Sequence, residues 1–139
     1  MGRAPGKPKK LPPDTPDLAG VLDLAGTFWL VAGEYLEALR HYEDAVAVFP
    51  QSTRFLGGWG YALGKLGRHA EAVVIQRRAV AVEPQNAGLL SDHGWTLVES
   101  GEPAEAEAVL QLAVRLAPPE HERPRNNLEQ LRRMRRPDR

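Results

Sequence analysis

The sequence contains no cysteine. That excludes a disulfide framework and any thiolate-ligated metal centre, and it fits a reducing compartment. Aromatic residues are few, three each of Phe, Trp and Tyr. The opening residues, MGRAPGKPKKLPPDTPD, hold no apolar run, which predicts neither a signal peptide nor a membrane span. Gly2 lacks a Ser or Thr at position 6, so the myristoylation pattern fails as well. Neither charge is in excess, since 18 Lys and Arg balance 18 Asp and Glu over 139 residues. The balance is unevenly spread. Residues 1–18 hold four cations against two carboxylates, a net +2, and residues 121–139 hold seven arginines against three carboxylates, a net +4. Residues 19–120 therefore carry −6. Acidic body and basic ends bear on partners and solubility rather than on fold.

Glycine is not scarce, and its placement is the puzzle. The stretch 55-FLGGWGYALGKLGRHAEA-72 has apolar residues at helical spacing interrupted by Gly57, Gly58, Gly60 and Gly64. Each interior glycine costs a helix about 0.8–1 kcal/mol relative to alanine.

A period of 34 residues organises the chain. Gly33, Gly67 and Gly101 lie on it, as do Gly26, Gly60 and Gly94. So do the columns Ala38/Ala72/Ala106, Ala45/Ala79/Ala113 and Pro50/Pro84/Pro118. Large apolar residues keep the same ruler at Leu22, Leu56 and Leu90, and at Trp29, Leu63 and Leu97. The copies are 19–52, 53–86 and 87–120. Each predicts two helices, broken at a central glycine where a C-cap needs positive φ and closed by a proline that cannot continue a helix. Pro103 falls in the first turn of a second helix, where its missing N–H does no harm. The Gly26/Ala45, Gly60/Ala79 and Gly94/Ala113 positions are expected to let paired helices approach closely. One pair cannot bury its apolar stripe, whereas three stacked pairs can.

The 34-residue spacing, the order of the Leu, Gly, Ala and Pro columns, and Tyr35 two residues after Gly33 closely resemble the tetratricopeptide-repeat family over 19–120. His69 and Pro103 stand where that family carries an aromatic residue, as do Gln76 and Leu110 in the second helices. The resemblance implies an all-α fold, a right-handed α-solenoid of three helix pairs. It also implies a concave groove, lined by the first helix of each pair, in which a segment of another protein binds. Residues 121–136 carry Leu128, Leu131 and Met134 on one face, the pattern of a C-terminal capping helix. Residues 1–17, rich in Pro, Gly and Lys, are expected to be a disordered tail. Through Leu11-Pro12-Pro13 that tail could support weak, salt-dependent homo-oligomerisation.

Read by face, helix 53–66 directs Leu56, Trp59, Leu63 and Leu66 into the stack. Arg54, Gly57, Gly58, Tyr61, Gly64 and Lys65 share the groove face. The next repeat offers Asp92, Trp95 and Glu99, the first repeat Leu24 and Thr27, and the cap Arg125, Asn126 and Glu129. Two readings of Tyr61 and Trp95 stay open. Either the glycines leave a bare backbone floor between two aromatic walls, a hollow for an apolar side chain, or they only permit tight packing. Some family members grip an acidic C-terminal peptide with Lys and Asn. The matching positions here are Asp23, Thr27, Gly58, Gly88 and Asp92, which argues against that mode.

No catalytic constellation emerges. His41, His69, His93 and His121 are scattered, and His121-Glu122 lacks the second histidine of a zinc helix. His93 occupies a stripe position and is expected to be a hydrogen-bonded core imidazole. No glycine-rich loop joins a strand to a helix, so no phosphate site is expected. The cluster Arg132, Arg133, Arg135, Arg136 and Arg139 could meet phosphates, but the acidic body argues against nucleic acid. The expected role is therefore a non-enzymatic scaffold or adaptor without cofactor, cytoplasmic, from a GC-rich bacterium. A second resemblance, of 53-TRFLGGWGYALGKLG-67 to the central repeat of bacterial secretion chaperones, implies the alternative of shielding a hydrophobic client segment.

Overall fold

A computed structural model describes residues 17–137, and seven α-helices account for most of them. They are α1 (Leu18–Val31), α2 (Tyr35–Val48), α3 (Thr53–Lys65), α4 (His69–Val82), α5 (Ala87–Glu99), α6 (Pro103–Leu116) and α7 (Arg123–Arg135). There is no strand among the described residues. Successive helices pack in order, so the chain is an α-solenoid of three antiparallel pairs with α7 laid against α5 and α6. The expected basic tail and its Leu11-Pro12-Pro13 segment lie outside the described residues. Asp17, assigned to that tail from sequence, instead caps α1, its carboxylate accepting from the Gly20 N–H at 2.6 Å.

Local chemistry sets the helix ends. Ser52 and Asn86 cap α3 and α5 as Asp17 caps α1, accepting from Phe55 N at 3.2 Å and Leu89 N at 3.1 Å. The second helices have no side-chain cap and instead place Glu37, Glu71 and Glu105 in the first turn, where the helix dipole favours a carboxylate. Gly33, Gly67 and Gly101 adopt φ of 74°, 77° and 81°. With them the next residue's N–H turns back onto the helix, as Arg68 N does onto Leu63 O at 2.9 Å.

Packing follows the repeat with three revisions. A Cβ built on Gly26 would lie 2.5 Å from Tyr42 Cζ, on Gly60 2.7 Å from Gln76 Nε2, and on Gly94 2.6 Å from Leu110 Cδ2. The glycines therefore make room for the 42/76/110 column, not chiefly for the alanines expected from sequence, although Ala45, Ala79 and Ala113 are fully buried. Gly58 also departs from expectation. Its Cβ would sit 2.5 Å from Tyr42 Cε1, so it packs beneath that ring rather than flooring the groove. Leu66, expected in the stack, is exposed at the end of α3, and Phe55 is buried in its stead.

Two apolar clusters form. One joins α1 to α4 through Leu39, Tyr42, Phe55, Leu56 and Leu63, and the other joins α5, α6 and α7 through Leu97, Leu110, Leu128 and Leu131. Where they meet, α4 and α5 bury the polar side chains Gln76, His93 and Thr96, while Ser91 accepts from Asn127 of α7 at 3.0 Å. Leu89 reaches across from α5 and Val73 from α4. Helix α1 is the least covered, with Leu18, Val21, Leu24, Phe28 and Val31 all exposed.

Candidate functional site

Adjacent first helices present their side chains on one surface, and between α3 and α5 that surface dips into a hollow of about 210 Å³. Tyr61 and Lys65 line it from α3, and Asp92, Trp95, Thr96 and Glu99 from α5. Gly64 leaves backbone open between them, Gly60 is buried, and Gln76 reaches in from α4. Gly64 is open, with nothing within 4 Å of a built Cβ. Tyr61 is braced by Tyr35, ring centroids 6.5 Å apart and edge to face, and the Lys65 ammonium lies 5.3 Å from the Tyr61 centroid.

The hollow is rich in hydrogen-bond acceptors. Thr96 Oγ1 donates to the Asp92 carbonyl at 2.9 Å. Arg123, reaching back from α7, holds Asp92 Oδ1 at 3.1 Å. Burial pushes the Asp92 carboxyl above its ordinary range, and the Arg123 charge opposes that shift. Gln76 is 2% exposed and its Oε1 has no partner.

Of the residues named from sequence, the structure gathers Tyr61, Gly64, Lys65, Asp92, Trp95 and Glu99 around this hollow. The others lie elsewhere. Leu24 and Thr27 are exposed on α1, and Arg54 pairs with Asp23. A Cβ on Gly57 would meet only Leu89 Cδ2, at 3.8 Å, and Gly58 lies under Tyr42. Arg125 donates to the Pro119 carbonyl at 2.8 Å, Glu129 faces Arg133 at 3.7 Å, and Asn126 is exposed. Sequence reasoning missed Gln76, Thr96 and Arg123. Gln76 carried a signal, being the polar member of a column that otherwise reads Tyr42 and Leu110. Among the described residues no cluster of His, Asp and Glu could hold a metal ion. His93, expected to be hydrogen-bonded, is buried with Nδ1 unpartnered, and burial, then the Arg77 charge, hold its pKa below the ordinary value.

Residues 65–126 match the family model described as tetratricopeptide repeat. These are tetratricopeptide repeats. The chain as a whole is similar in fold to solved structures. One is the Yersinia enterocolitica type III secretion translocator chaperone SycD, at 20% identity over 91% of this chain and 100% of that one, with a TM-score of 0.78. A second is SycD in complex with a peptide of the translocator YopD, at 20% identity over 90% of this chain and 100% of that one, TM-score 0.76. A third is the first repeat domain of Spaghetti (RPAP3) bound to the HSP90 peptide SRMEEVD, at 22% identity over 84% and 91%, TM-score 0.77. No curated protein matches the sequence. At these identities the likeness speaks for the fold. Among the described residues no helix is long and apolar enough to cross a membrane.

Proposed function

We propose that this chain is a non-enzymatic scaffold or adaptor of the cytoplasm that holds a segment of a partner protein in the groove formed by α1, α3 and α5. One observation carries the reading, the hollow of about 210 Å³ walled by Tyr61 and Trp95. A concave site with aromatic walls and a few convergent polar groups is the usual form of a binding site. Rigid helices present it ready-made, so the partner alone loses conformational freedom on binding. The peptide complexes of SycD and RPAP3 support the same use of the fold. Four arginines of α7, namely Arg123, Arg125, Arg133 and Arg135, already have partners within the chain, which favours a protein over nucleic acid.

The test is to fill the hollow. Gly64→Leu places a side chain where no atom stands. Partners captured from the source organism by wild type, identified by mass spectrometry and titrated by calorimetry, should bind this variant more weakly by at least about 1 kcal/mol, the scale of an interface hot spot. Equal binding by the two proteins refutes the site.

A secretion-type chaperone is the second reading, favoured by the exposed Leu18, Val21, Leu24, Phe28 and Val31 on α1. Such a surface suits an apolar client segment. Under this reading a hydrophobic protein precipitates when expressed alone, stays soluble with wild type, and is lost with Leu24→Asp/Phe28→Asp.

A further inference from the structure

The hollow between α3 and α5 is chemically selective. Gln76, 2% exposed, is among the side chains that line it, and its Oε1 is buried without a partner. Buried amide oxygens are ordinarily paired, so an orphan on a side chain that lines an open hollow marks a place for a donor. Thr96 has given its proton to the Asp92 carbonyl, so its hydroxyl can only accept. Arg123 meets Asp92 through Oδ1 at 3.1 Å, and Glu99 makes no ion pair among the described residues. Trp95 lies between the two carboxylates on the same helix. Acceptors and π-faces therefore converge, and Lys65 is the one lining cation among the described residues, already resting against the Tyr61 ring.

Building on the groove reading above, we propose that this hollow takes an arginine side chain of the partner, with the guanidinium against Trp95 and its donors on Gln76, Thr96, Asp92 and Glu99. An apolar side chain, the occupant expected from sequence, would satisfy the aromatic walls. It would leave Gln76 Oε1 unpaired and press hydrocarbon onto two carboxylates. A guanidinium answers both demands, because its planar fork carries five donors and its face stacks on aromatic rings. The raised pKa of Asp92 agrees, since an arriving cation relieves a carboxylate that burial has made costly to ionise. The net charge of −6 over residues 19–120 draws a basic segment towards the groove.

The experiment titrates the full, isotope-labelled chain with N-acetyl-arginine amide, N-acetyl-lysine amide and N-acetyl-leucine amide, followed by NMR. The arginine compound should shift the Trp95 indole N–H and the amides of 60–65 and 92–99 saturably, about tenfold or more tighter than the leucine compound. Glu99→Gln, an exposed and structurally mild change, should weaken it about threefold or more. Gln76→Met, which keeps the volume and removes the acceptor, should weaken it likewise with the rest of the spectrum retained. The assignment is overturned if the leucine compound saturates the hollow as tightly, if the lysine compound binds more tightly, if Glu99→Gln changes nothing, or if no compound shifts these resonances. None of those results touches the groove reading, which stands or falls on Gly64→Leu and the captured partner.

Discussion

Two neighbouring glycines of α3 should respond to the same mutation with opposite signs. Gly57 and Gly58 both lie inside the helix, so replacing either by alanine gains about 0.8–1 kcal/mol of helix propensity. Their surroundings differ. The new methyl at 57 finds only Leu89 Cδ2, at 3.8 Å, an ordinary contact. At 58 it would stand 2.5 Å from Tyr42 Cε1, in a ring that is itself 3% exposed and also packed against Gly26. Overpacking of this kind costs about 1–3 kcal/mol and outweighs the gain. Gly57→Ala should therefore raise the melting temperature, by roughly 2–8 °C for each kcal/mol, while Gly58→Ala should lower it. Urea titrations with unchanged m-values would place the difference in the folded state. The mechanism adds a further demand. Tyr42→Leu should do less harm in a Gly58→Ala background than in wild type, with a coupling of at least about 0.5 kcal/mol. A destabilised Gly57→Ala, a stabilised Gly58→Ala or strict additivity would refute the reasoning.

The remaining predictions concern the cap and the buried imidazole. Deleting 121–139 removes Leu128 and Leu131, 7% and 1% exposed, each worth about 1.5–3 kcal/mol of burial; calorimetry should show a lower melting temperature, and an unchanged one would deny α7 its role. His93 is held neutral by burial, with Arg77 opposing and Glu105 favouring its charged form. Its folded pKa lies below 6.5, so the unfolded chain binds the proton first and stability should fall as pH drops from about 6.5 towards the folded value. His93→Gln should remove that slope, measured as wild type minus variant so that the raised pKa of Asp92, which acts in the opposite sense, cancels.

The repeat made most of the fold legible. A glycine column at positive φ and a proline column each have a local meaning, so the period alone located six helices, and the apolar face of 121–136 located the seventh. The site was legible only where it depended on helical phase. Tyr61, Gly64, Lys65, Asp92, Trp95 and Glu99 fall on one face at the right spacing and do meet. Gly58 shares that face by angle, yet it belongs to the contact with α2, because which glycine a neighbouring ring occupies is set by the ring, not by the helix that carries the glycine. Gln76 and Arg123 come from other elements, and no single-helix projection contains them.

The polar side chains buried where α4 and α5 meet make the array an unequal spring. In a stack of repeats each unit feels only its neighbours, so stiffness is set joint by joint. At the joint between α4 and α5, Gln76 stands where the flanking repeats have Tyr42 and Leu110, His93 Nδ1 is unpartnered, and among the described residues Leu89 and Val73 bridge the two clusters. Bending should concentrate there. The hollow straddles that same joint, with Tyr61 and Lys65 on one leaf and Trp95 and Glu99 on the other. A side chain wedged between them would act as a splint across that joint.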